Sequence, residues 1–424
     1  MRRRIVRRLR RLRSRLEVRL PRSDRPLSVG EERPSEIDFD AVWQECERLY
    51  RGGLHPAVAL TIFHRGQCVL DRAIGAVDHQ PGRPPRGVVT TDTPFNIFSA
   101  SKIVTATLVH ALAEDGVLDL DAPVARYLPE FGRRGKERVL LRHLLNHSAG
   151  LADMPPRLDA VRALMSGELD WPVVWDMPLQ FEPGTAVAYH PITSWFILQE
   201  LIERVTGQGL QTLLHERVTA PLGIGRMGYG VPQEQVSSVA KHVSTGLRAP
   251  GVMASIFERT VGAPLERAVG LSNSEAFLTS VLPSANVCAT GRELCELMQM
   301  WLNQGVGRNG ARVLRPETTR RATTEVTPRQ LDGTLRFPMR YGLGFMMGGM
   351  RFSLYGLNTK GAYGHLGFTG VVVYADPLRD LAVAYLNTGK PMLAPGMLQW
   401  YWVLQRLALQ VPRRLSPWQV EPAD

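Results

Sequence analysis

The sequence has little of several things whose abundance would decide its class. Cysteine is sparse: Cys46, Cys68, Cys288 and Cys295 are four among 424 residues, scattered rather than clustered at metal-ligand spacing. A disulfide-stapled or zinc-built framework is therefore excluded, no metal or other cofactor is expected, and a reduced cytoplasmic setting fits. The seven-residue step from Cys288 to Cys295 suits two inward positions of one helix. No run of about 18 apolar residues occurs, so no membrane-spanning helix is expected. The uncharged stretch from Pro391 to Gln405 is broken by Pro395 and Gly396. Near the start, arginine interrupts each apolar run before it reaches three residues, so export through a secretory leader is not expected.

The body of the chain also lacks net charge. The formal balance of +11 resides almost wholly in residues 1–25, where twelve arginines face Glu17 and Asp24, a net of +10 that leaves +1 for the rest. Along this arm Ile5, Leu9, Leu12, Leu16 and Leu20 step by three or four, which puts them on one face of a basic amphipathic helix. Such a helix suits an anionic membrane surface, at the inner face for a cytoplasmic chain; a solvated, disordered tail is the equal alternative. No aromatic residue interleaves the arginines, so no specific nucleic-acid partner is expected.

What is present is an ordinary globular composition, 44% hydrophobic and 21% charged, on a chain long enough for more than one packed subregion. Pro21 to Pro34 reads as a linker, and residues 1–35 as arm and linker. Phe39 to Arg51 reads as a helix. Ala57 to His64 and Gln67 to Ile74 form a hairpin pattern around Arg65 and Gly66. A second hairpin pattern, Gly370 to Ala375 and Leu381 to Asn387, lies near the other end. Between them helical periods dominate: a stripe from Trp195 to Val205 closed by Gly207, and another from Leu294 to Trp301 closed by Gly305. The fold class expected is α/β of the α+β kind. A central antiparallel sheet built from both chain ends is flanked by helices, with an inserted, mainly helical region over about 105–330. One domain then spans 36–412, followed by a tail over 413–424.

Chemistry is carried first by Phe98-Ser99-Ala100-Ser101-Lys102, which opens a helical pattern running to Asp115 and Gly116. If Ser99 starts that helix, Lys102 lies one turn on along the same face, within reach of the hydroxyl. A serine hydroxyl is a weak nucleophile that needs a base, and a desolvated lysine can serve. A helix N-terminus adds backbone N–H groups and a positive dipole end, both useful to an oxyanion. Alone, Ser-x-x-Lys is a frequent coincidence that context must confirm.

That context is a set of ordered motifs: Phe95 to Lys102, Gly116 to Val124, Tyr127 to Phe131, Leu141 to Leu151, Phe181 to Gly184 with Tyr189, Pro221 to Gly223, Tyr341 to Gly344 and Gly364 to Gly370. Together they resemble the beta-lactamase-related serine hydrolases, which include class C beta-lactamases, D-Ala-D-Ala carboxypeptidases and family VIII carboxylesterases. The resemblance covers roughly residues 40–410. It implies Ser99 as the acylated nucleophile, Lys102 as its base, and Tyr189 as the phenol relaying protons to and from the leaving group. It further implies His365, Gly367 and Phe368 as the substrate-facing strand, with the oxyanion hole made by the backbone N–H groups of Ser99 and Phe368, the latter on an edge strand.

Two departures from the family pattern bear on substrate. Pro191 stands where Tyr-x-Asn has asparagine, removing an amide that would bond the lysine and an acylamino group. His365 stands where beta-lactamases have a lysine, and a mostly neutral imidazole pairs poorly with a carboxylate. Both favour simple esters, so the expectation is an esterase working through an acyl-enzyme on a small-molecule ester or amide. A beta-lactamase or D-Ala-D-Ala carboxypeptidase, an acyltransferase and a noncatalytic membrane-associated scaffold are the alternatives. His143 and His147 read as local hydrogen-bonding residues. Met346, Met347 and Met350 read as gap-filling core or as an acyl pocket. The segment from Val243 to Asn273 reads as a mobile loop over the cleft.

Overall fold

Ala57 to His64 and Leu381 to Asn387 lie more than three hundred residues apart in sequence, yet they pair in register from Leu381 opposite His64 to Asn387 opposite Val58. The computed structural model that shows this describes residues 17–20, 24–153, 166, 169–247, 258, 263–351, 353–393 and 396–413. The pairing sits at the centre of an antiparallel sheet. Its strands in chain order are β1 (Ser28–Val29), β2 (Ala57–His64), β3 (Gln67–Gly75), β4 (Thr327–Leu331), β5 (Pro338–Tyr341), β6 (Met346–Met347), β7 (Tyr363–Leu366), β8 (Val372–Asp376) and β9 (Leu381–Asn387). Their spatial order is β1-β3-β2-β9-β8-β7-β6-β5-β4. Both chain ends thus build one sheet, as expected.

The main helices are α1 (Asp40–Arg51), α2 (Ser101–Glu114), α3 (Thr193–Thr206), α4 (Gly291–Leu302) and α5 (Gln399–Gln410); α1, α2, α4 and α5 lie against the sheet, and α3 packs on α2. Side chains alternate across a strand, so each central strand serves two cores. Val58, Leu60 and Ile62 of β2, with Val383 and Tyr385 of β9, face Val42 and Trp43 of α1 and Val403 and Leu407 of α5. The opposite face carries Ala57, Ala59, Ala382 and Ala384, small enough for α4 to lie close. There a Cβ on Gly291 would meet Thr61 Oγ1 at 2.2 Å. Helix α4 begins in a capping box, Thr290 with Glu293, which satisfies donors at its first turn. Helix α2 is buried from Ser101 through Leu112. Its polar Thr105, Thr107 and His110 are hydrogen-bonded in place, and the helix forms the wall between sheet and helical region.

Several expectations need correction. Cys288 lies on a short strand, Val287–Ala289, not on the helix that holds Cys295, because Thr290 caps that helix two residues later. All four cysteines are buried and unpaired. The linker does not stay apart from the domain: β1 pairs with β3, and Glu32 bridges to Arg72 on that strand. The amphipathic helix does not run on to Leu20, since Glu17–Val18 pairs as a strand with Gly246 and Leu247 and the Leu20 N–H donates to Gly53 O. Residues 1–16 of that helix, and the tail beyond 413, lie outside the described residues. The segment expected to be a loop over the cleft starts as a strand, Val243–Leu247, parallel to Gly389–Pro391. Its residues 248–257 and 259–262 also lie outside the description.

Candidate active site

Ser99 is carried by a turn that the backbone can make only at a cost. Asn96 Oδ1 accepts the Phe98 N–H at 3.1 Å, and Phe98 takes φ 48°, a left-handed value that a bulky side chain rarely adopts. The Phe98 ring is held in that position by His242 at 4.6 Å, Phe368 at 5.5 Å and Lys390 Nζ at 5.1 Å. A single 3₁₀ turn, Phe98–Ala100, follows and runs into α2. Ser99 therefore stands half-exposed at a helix N-terminus, where the first N–H groups have no partner within the helix.

Lys102 lies one turn further on and is completely buried. Its Nζ is 3.3 Å from Ser99 Oγ, 2.8 Å from Pro191 O and 3.3 Å from Ser284 O. The rings of Tyr189 and Trp195 lie 5.2 and 5.4 Å away. Burial lowers the amine far below the ordinary lysine range. The two carbonyl oxygens can only accept, so a neutral amine gives each of them one N–H and turns its lone pair to the Ser99 hydroxyl. That arrangement can take a proton from Ser99.

Tyr189 is brought beside this pair by a strap that hydrogen-bonds to its surroundings. The Ala188 N–H donates to His147 O, the Tyr189 N–H to Asp332 Oδ1 at 3.0 Å, and the His190 N–H to His147 Nδ1 at 3.1 Å. Asp332 is fully buried and also accepts from Tyr341 Oη at 2.7 Å and from the N–H groups of Thr334 and Leu335. The Tyr189 hydroxyl is buried. Burial raises the phenol above its ordinary value, and the nearby Ser99 hydroxyl opposes that rise.

His365 comes from β7, with its ring 5.8 Å from that of Tyr189. Burial first, and then the neighbouring Lys102, lower it to about 3, so the ring is neutral at pH 7. Its Nδ1–H donates to Leu366 O at 2.7 Å, which leaves Nε2 a buried acceptor without a partner among the described residues. Gly367 closes the site from the sheet side: a Cβ there would meet Ile97 O at 2.3 Å. Phe368 follows in the turn after β7 rather than on a strand. Strand β7 is an edge only in its second half, since β6 pairs with Tyr363 and Gly364 alone.

The structure thus brings together Ser99, Lys102, Tyr189, His365, Gly367 and Phe368. His143 stays apart, accepting the Leu140 N–H to cap a short helix. Sequence reasoning missed Asp332, Ser284, His242 and Lys390. Asp332-Gly333 looks like any turn, and Ser284 contributes only its backbone. A lone lysine at 390 within an apolar stretch was the one visible signal. Among the described residues no group of three or more His, Cys, Asp or Glu could hold a metal ion.

A serine beside a buried lysine at a helix N-terminus, against an antiparallel sheet, defines a beta-lactamase-fold serine hydrolase. The chain belongs to the Beta-lactamase family, whose model matches residues 46–408. It is 27% identical over 397 residues to the Esterase/beta-lactamase LipL of Mycobacterium tuberculosis, covering 89% of this chain and 88% of that one. A solved family VIII carboxylesterase is 26% identical, with a TM-score of 0.76 over 90% of this chain and 99% of that one. A penicillin-binding protein homologue from Caulobacter crescentus is also 26% identical, with a TM-score of 0.75 over 91% and 100%.

Proposed function

We propose that the protein hydrolyses small carboxylic esters through an acyl-enzyme, with Ser99 as nucleophile, Lys102 as base and Tyr189 as proton relay. The observation that carries this reading is the set of oxygens around Lys102 Nζ, two acceptor-only carbonyls and the Ser99 hydroxyl. Ser99 Oγ forms a bond to the ester carbonyl carbon as its proton passes to Lys102. The backbone N–H groups of Ser99 and Phe368 hold the oxyanion, and losing one such donor costs about 10²–10³ in turnover in comparable enzymes. The C–O bond to the alcohol then breaks, and the alcohol leaves with the proton delivered through Tyr189. Water repeats the sequence on the acyl group, giving up its proton to the same groups and releasing the acid and free Ser99.

Esters are favoured over beta-lactams by His365. A neutral ring whose Nδ1–H is taken by Leu366 offers only an acceptor, which cannot pair with a carboxylate. The esterase names of LipL and the family VIII structure support the same choice. The penicillin-binding protein homologue supports the second reading, a beta-lactamase or D-Ala-D-Ala carboxypeptidase acting on an amide, with acyl transfer to an alcohol as a further outcome. Comparing p-nitrophenyl butyrate with nitrocefin separates them, and faster nitrocefin turnover would reject the ester assignment. Ser99→Ala should abolish labelling by a fluorophosphonate in a folded protein. Persistent labelling would remove Ser99 as nucleophile.

We further propose that the hydrolase domain, expected over 36–412, takes in the preceding strand Ser28–Val29 and Glu32, which join its sheet, and that the arginine arm is a contact for anionic membrane, each basic residue near the surface adding about 1 kcal/mol. No helix among the described residues is long and apolar enough to cross a membrane. Deleting residues 1–16 should abolish sedimentation with anionic vesicles while ester turnover persists; unchanged sedimentation would reject this.

A further inference from the structure

Met339 packs with Tyr189, Tyr341 and Met346 in a small apolar cluster, and it also lines a separate cavity of about 420 Å³. The cavity lies between β5 and the residues after β6. Its apolar lining includes Phe337, Met339, Met347, Met350 and Leu354. Phe337 is 41% exposed and Met350 51% exposed, so two large apolar side chains stand at the rim in water. Among the described residues its charged lining is of one sign: Arg329, Arg340, Arg351 and Lys360, with no aspartate or glutamate. Arg340 is committed to Glu325 and to Gly348 O. Arg351 and Lys360 make no hydrogen bond or ion pair among the described residues, and both are exposed.

An apolar floor with charge of one sign at the rim selects its ligand. A neutral apolar molecule would leave the cations unused, and a small polar anion would leave the methionine and phenylalanine surface wet. An apolar chain ending in an anion satisfies both, and the volume is within the roughly 300–1,000 Å³ typical of small-molecule pockets. We propose that this cavity binds an amphiphilic anion, in its simplest form a medium-chain carboxylate with the alkyl chain along Met339, Met347 and Leu354 and the head at Arg351 and Lys360. The shared Met339 wall places such a ligand one side chain away from Tyr189. The proposal does not depend on the ester assignment, because its test reads binding.

The test is calorimetric titration of the full chain with octanoate and, in parallel, with 1-octanol. Octanoate should bind at least tenfold more tightly at low salt, and the difference should shrink as salt screens the head-group contact. The double variant Arg351→Glu/Lys360→Glu changes two exposed side chains and should erase the preference while p-nitrophenyl butyrate turnover stays within twofold. Equal affinity for acid and alcohol, no octanoate binding, or octanoate binding unchanged in the double variant would each overturn the proposal. So would the absence of octanoate binding together with anionic-vesicle binding that the double variant loses, which would make the patch a membrane contact instead.

Discussion

Lys102 Nζ donates to the carbonyl oxygen of Pro191 at 2.8 Å, so the residue that lacks the expected asparagine amide still holds the lysine, through its backbone. Proline has no N–H to spare, and none is needed, because the lysine wants acceptors. What the substitution removes is a donor toward substrate, not the anchor of the base.

That anchoring fixes the pH dependence. Burial is the cause of the lowered lysine, and no carboxylate among the described residues opposes it. A base must be neutral to work, so kcat/KM should rise with pH through the lysine's own lowered value and then level off, well below the ordinary 10.4 or so of a free lysine. Stopped-flow acylation of p-nitrophenyl butyrate from pH 5 to 10 measures this. A rate still climbing tenfold per unit between pH 9 and 10 would contradict a Lys102 lowered by burial.

Tyr189→Phe removes a buried hydroxyl whose side-chain partner is the nearby Ser99 hydroxyl. A buried hydroxyl with so weak a partner adds little hydrogen-bond stability and costs desolvation, so the variant should be about as stable as the parent. Its acylation rate should fall by about 10²–10⁴, the usual range for a positioned proton-transfer group, with KM little changed. Thermal melts and single-turnover kinetics on one preparation separate the two effects. A loss of stability with normal turnover would make the tyrosine structural.

The Ser99–Lys102 relation was legible because helix geometry alone brings i and i+3 together. The sheet was legible because alternating apolar runs at both chain ends had nowhere else to pair. Tyr189 and His365 came only through the motif resemblance, since one tyrosine and one histidine carry no period. Asp332 could not have been found: it reaches Tyr189 through a backbone N–H, which has no residue signature. The helix placement of Cys288 failed because a seven-residue spacing is also met by a strand, a capping threonine and the first turn of a helix. Residues 17–18 left the arm's helical period because tertiary pairing with Gly246 and Leu247 supplied the backbone partners instead.

Stability should be lost toward acid. Burial keeps His55, His190 and His365 neutral down to about 3 and His110 down to about 4. In the unfolded chain they titrate near 6.5, so below that value the unfolded state binds protons the folded state refuses. Unfolding free energy should therefore fall as pH drops from about 6.5 toward 4, by up to about 1.4 kcal/mol per unit for each such histidine. Lys102 and Lys390, also lowered by burial, carry the same sign to higher pH, because the unfolded chain keeps them protonated up to its ordinary lysine value. Urea denaturation at pH 8, 7, 6 and 5 tests the trend, and a constant free energy between 7 and 5 would refute it.

Gly367→Ala isolates the contact between β7 and the nucleophile turn. The added Cβ would lie 2.3 Å from Ile97 O and 2.8 Å from Val371 Cβ, and the first of these is backbone that cannot swing aside. Ile97 is itself tied, its N–H donating to Val287 O, and Gly367 N–H donates to Val371 O at 2.7 Å. Relief must come from moving the end of β7 and Phe368 outward by several tenths of an ångström or more. The sheet survives, because β7 keeps its pairing with β8 from Tyr363 to Leu366. The distance between Phe368 and Ser99 does not. A displacement near 1 Å at a reacting centre can cost about 10²-fold. The variant should therefore fold, keep its Lys102-dependent pH profile, and lose about 10²-fold in kcat. Turnover within twofold of the parent would show that the close approach of Gly367 to Ile97 has no part in catalysis.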